Sequence, residues 1–68
     1  MNHEQLMTAI RNAEFKYRIL KQLARDKANA LLSIEDRQLR KELETVVLHV
    51  NREVEKVENK LSELYKLR

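Results

Sequence analysis

His49 and Glu53 stand four residues apart. In a helix that spacing puts an imidazole and a carboxylate on one face, where a metal could begin to bind. Two ligands do not hold one, because such sites usually take at least three protein ligands. His3 is distant in sequence, and the absence of cysteine removes thiolate ligands. Ser33 and Ser62 have no neighbouring histidine to activate a hydroxyl. The acidic residues alternate with Lys and Arg, as on an open helix face, so nothing raises a carboxylate pKa for acid–base work. The expectation is a non-enzymatic protein with no metal and no cofactor.

Charge offers a second kind of chemistry. Arg11, Arg18 and Arg25 recur every seven residues, with Lys21 beside them. On a helix they form a basic stripe with arginines ~10 Å apart. Such a stripe suits phosphates of a nucleic acid or an acidic protein patch. Glu14 lies three residues after Arg11 and four before Arg18, so it is expected to neutralise part of the stripe. Helices that grip a nucleic-acid backbone usually carry denser charge, so a solvated face is expected ahead of nucleic-acid binding here. The net charge of +3 falls wholly on the first half of the chain, where six basic residues face three acidic ones. The second half carries eight of each.

These residues must be positioned by helices. The 68-residue chain contains no glycine and no proline. Average usage would give roughly eight of the two together. Tight turns and phosphate-cradling loops need those residues, and helix interiors exclude them. Leu6, Ile10, Ala13, Tyr17, Leu20, Ala24 and Leu31 keep heptad spacing, with Lys27 alone out of place. Leu43, Val47, Val50, Val54, Val57, Leu61 and Leu64 form a second seam without interruption, and Leu39 extends it upstream. Asn2 with Gln5 reads as a capping box for the first helix.

The two seams do not share a phase. Continuing the first beyond Leu31 reaches Ile34, Gln38, Lys41 and Thr45, which are mostly polar. Ser33 with Asp36 three residues later resembles a second capping box, with Glu35 and Asp36 in the first turn of the next helix. The expected fold is all-α: one domain, helix 1 over about 3–31, a turn over about 32–34 and helix 2 over about 35–66. The short connection predicts an antiparallel, coiled-coil-like hairpin. The rival is one continuous helix of ~100 Å, since Leu31, Glu35, Leu39 and Leu43 are also spaced by four.

Burying only the seams leaves Phe15 and Ile19 on the far side of helix 1, with Leu23 extending them toward the core edge. Leu48 is a milder counterpart, opposite Val47 and Val54 on helix 2. A two-helix hairpin of this size builds too small a core to be comfortable alone. Phe15, Ile19, Leu23 and Leu48 are therefore expected to contact a protein, with two hairpins pairing into a homodimeric four-helix bundle. A parallel dimer through helix 2 alone is disfavoured. With Val47, Val54 and Leu61 at a, Glu53 would meet Glu58 of the other chain.

No apolar run reaches the ~18–20 residues that span a bilayer, and MNHEQLM lacks the features of a signal peptide. The expected location is the cytoplasm, away from membranes. The expected role is a small regulator, adaptor or assembly factor. A nucleic-acid binder is the first alternative and a coiled-coil spacer the second.

Overall fold

The computed structural model describes residues 2–68. Two helices, α1 (His3–Leu31) and α2 (Arg37–Lys66), pack against each other. They fold back as a hairpin with extents of 51 × 14 × 12 Å, which excludes the single ~100 Å rod.

α1 starts where the sequence places it. The Gln5 amide donates to Asn2 Oδ1 at 2.8 Å, and the Asn2 amide donates back to Gln5 Oε1 at 3.2 Å. This reciprocal pair satisfies two N–H groups near the start of the helix. The helix ends without an αL residue, since Leu32 keeps φ −67° and ψ −22°. The last carbonyls are instead closed by tight turns, Leu32 N–H to Asn29 and Ser33 N–H to Ala30.

The connection corrects the expected capping. Ser33 does not cap α2; its hydroxyl donates to the Ala30 carbonyl at 3.1 Å and so belongs to the end of α1. Asp36 is the cap. Its Oδ1 accepts from the Gln38 and Leu39 amides at 2.9 and 3.0 Å. α2 consequently begins at Arg37, and Glu35 and Asp36 precede its first turn. The physical reason is the gap to be crossed. Packed helix axes lie ~8–10 Å apart, which takes about three residues at ~3.3 Å each. Residues 34–36 supply them, and an ionised carboxylate then outbids a hydroxyl for the free amides.

The core is concentrated at the open end, away from the turn. Leu6, Ile10 and Ala13 of α1 meet Val57, Leu61 and Leu64 of α2, with Met7, Ala9, Tyr17 and Leu20 packed around them. Ile10 is only 2% exposed. Toward the turn the same seams continue, yet Leu20, Ala24, Leu31, Leu43 and Val47 are only half-buried. Leu39, predicted to extend the second seam, is exposed. The cause lies in α1, whose seam passes from Leu6 and Ile10 to Ala24 and Lys27. A methyl group and a charged chain cannot cover the leucine and valine opposite.

Candidate functional site

The hairpin has two broad sides, and they differ in chemistry. On the first, Lys21 and Arg25 share a shallow groove with Leu48, Arg52, Glu55 and Glu58. Farther from the turn, Glu14, Tyr17 and Arg18 line the same side with Glu58, Ser62 and Tyr65. Arg11, seven residues before Arg18, continues that row. All four residues of the basic stripe are exposed. The stripe thus runs alongside Glu14, Glu55 and Glu58. Lys21 is also engaged at home, its Nζ 5.7 Å from the centre of the Tyr17 ring.

Glu14 does not neutralise Arg11 or Arg18. The ion pairs among the described residues are Arg40–Glu44 and Lys56–Glu53. Glu14 Oε2 instead accepts from the Tyr65 hydroxyl at 3.0 Å, joining the two helices near the open end. Hydrogen bonding to Glu14 raises the Tyr65 pKa above the ordinary phenol value. Partial loss of water and the charge on Glu14 act in the same direction, against Arg68. The competition is physical: Tyr65 presents one fixed donor across the groove, whereas an exposed Arg–Glu pair must order two long chains in water. Sequence spacing shows only neighbours within one helix, so this cross-helix partner could not be read from it.

The second broad side has a charged half and an apolar half. Near the open end, Asn12 and Lys16 of α1 share a groove with Glu53, Lys56 and Lys60 of α2. The hydrogen bond from Lys56 holds the Glu53 carboxyl below its usual pKa, followed by the charge of Lys56 and smaller effects of His49 and Lys16. Residues seven apart stay on nearly the same side of a helix. One heptad from Asn12 is Ile19, and one heptad from Lys16 is Leu23. One heptad before Glu53 is Val46, and one more is Leu39. The turn-proximal half of this side therefore presents Ile19, Leu23, Leu39 and Val46, which are 52%, 38%, 54% and 43% exposed. Phe15, 61% exposed, stands at its outer edge on α1.

The expected contact residues therefore divide. Phe15, Ile19 and Leu23 lie together, and Leu48 lies across the molecule beside Lys21 and Arg25. Val46 was not singled out by its sequence, because it lies one position before the seam residue Val47. Its signal is the heptad from Leu39 through Val46. Among the described residues no group of three His, Asp or Glu converges on a metal-sized point, and His49 is exposed. Among them no helix is long and apolar enough to cross a membrane. No protein-family model, curated protein or solved structure matches the chain.

Proposed function

We infer that this chain is a small protein–protein interaction module that self-associates through its exposed apolar face and acts as a regulator, adaptor or assembly factor. The observation that carries the reading is the patch of Ile19, Leu23, Leu39 and Val46, rimmed by Phe15, on a hairpin whose turn-proximal half buries Val50 alone among the described residues. Scattered exposed apolar residues are ordinary. A contiguous set beside an incompletely covered seam is what a partner helix would bury. Pairing two hairpins gives a four-helix bundle, the usual way for such helices to complete a core. Nothing in the groove geometry favours an enzyme, since both broad sides are open and shallow.

A nucleic-acid site on Arg11, Arg18, Lys21 and Arg25 is weakened by Glu14, Glu55 and Glu58 along the same side. Those acids repel the phosphates that the arginines would attract.

Phe15→Ser and Ile19→Ser test the surface by sedimentation equilibrium, with circular dichroism as the folding control. Both side chains are exposed, so helicity survives and self-association weakens. Unchanged association in both variants removes this surface assignment.

A further inference from the structure

Lys27 occupies a position that the α1 seam reserves for an apolar residue, and it is half-buried there. The ion pairs among the described residues do not include it. A lysine at a seam position weakens the apolar contact, and coiled coils use such a residue to fix how helices align. Glu42 sits on the same broad side, one heptad before His49 and two before Lys56. Its carboxylate accepts only a long 3.4 Å hydrogen bond from the exposed Gln38 amide. A seam lysine outside the ion pairs of the described residues and a weakly engaged carboxylate thus flank one apolar patch.

We propose that this broad side binds a second copy of the chain, with both turns at the same end and Lys27 paired to Glu42 of the other copy. The proposal rests on the self-association reading and specifies its geometry. A two-fold axis along the hairpin lays α1 of one copy over α2 of the other. The helices leave the turn at Leu31 and Arg37 and run antiparallel, so positions equally far from the turn stand level. Lys27 is then level with Glu42 of the second copy to within one residue. Leu23 is level with Val46, and Lys16 with Glu53, by the same count. Lys16 and Glu53 line one groove within each chain, so the level count holds across the two helices. Lys27 and Glu42 are complementary at their level, and Leu23 and Val46 make the apolar contact beside them.

The available area suffices. Two helices, each ~10 Å across, side by side over 51 Å give a broad side on the order of 1,000 Å². A standard interface takes ~800 Å² from each partner. The same contact covers Leu20 and Leu43, which the hairpin alone leaves half-buried.

Charge reversal with mixing tests the pairing. Lys27→Glu alone sets two glutamates against each other at both symmetric contacts, and Glu42→Lys alone sets two lysines. Each variant should dimerise on the order of tenfold or more weakly than the parent in sedimentation equilibrium. An equimolar mixture restores Lys–Glu at both contacts and should recover tight association as a heterodimer. Rescue on mixing cannot arise from a Lys27–Glu42 contact within one hairpin, and helicity of each variant alone controls for folding. A dimeric parent whose variants associate as tightly as it does, or whose mixture gains nothing, overturns this geometry alone. A parent that stays a single chain at every concentration overturns the geometry and the self-association reading together.

Discussion

Ile10→Ala probes the core where the structure is most definite. Ile10 is 2% exposed and contributes to the cluster with Leu6, Leu61 and Leu64. The substitution removes three carbons, which at ~0.8 kcal/mol each gives about 2.4 kcal/mol of lost transfer energy. A cavity term adds to this, but a two-helix wall has open flanks and can relax inward. The expected loss is about 2.5–3 kcal/mol, toward the lower end of such changes. A chain this small rarely holds more than ~3–5 kcal/mol, so the variant keeps at most about 2.5 kcal/mol in water. Urea unfolding followed by helical ellipticity measures the loss, and Ile10→Val extends the series at about 1 kcal/mol. Leu43→Ala is the comparison, because Leu43 is only half-buried at the other end. At dilutions where the chain is single it should cost about 1.2 kcal/mol, half the transfer term with no closed cavity. A loss below about 1 kcal/mol for Ile10→Ala refutes the placement of the core. Equal losses at the two positions refute the gradient of packing toward the turn.

The cap assignment makes Asp36→Ala cost ~1 kcal/mol, with Ser33→Ala costing clearly less; the reverse order in thermal unfolding would return the cap to Ser33. The Tyr65–Glu14 bond makes the folded state hold the phenolic proton more tightly than the unfolded chain does. Its stabilisation is therefore full below the unfolded phenol value of ~10 and is lost as pH rises through the folded value. Tyr65→Phe should unfold at lower urea than the parent near neutral pH, and the gap should narrow as pH rises through the raised folded phenol value. A gap independent of pH would mean that the hydroxyl contributes nothing.

The seams were legible because burial in a helix pair imposes its period on apolar residues. Leu6, Ile10 and Ala13, like Val54, Val57 and Leu61, repeat at the spacing of one face. The shift of phase between Leu31 and Leu39 marked the turn, although no glycine or proline announces it. The choice of cap was less legible. Ser33 and Asp36 are both good N-cap residues, and only the distance between the packed helices decides between them. The looseness near the turn was half-legible: Lys27 stood out, but spacing alone gives Leu43 the same standing as Leu61. The size of the side chain opposite determines which one is covered. Cross-helix partners such as Tyr65 with Glu14 depend on the relative rotation of the helices, which no single helix encodes.

The central claim is that the hairpin completes its core against a second copy. The direct measurement is solution mass by light scattering, with small-angle X-ray scattering on the same samples across a concentration series. The account predicts a particle near 50 Å long whose mass rises to twice the 8.2 kDa of one chain. A mass fixed at one chain throughout would contradict self-association, and a rod near ~100 Å would contradict the hairpin itself.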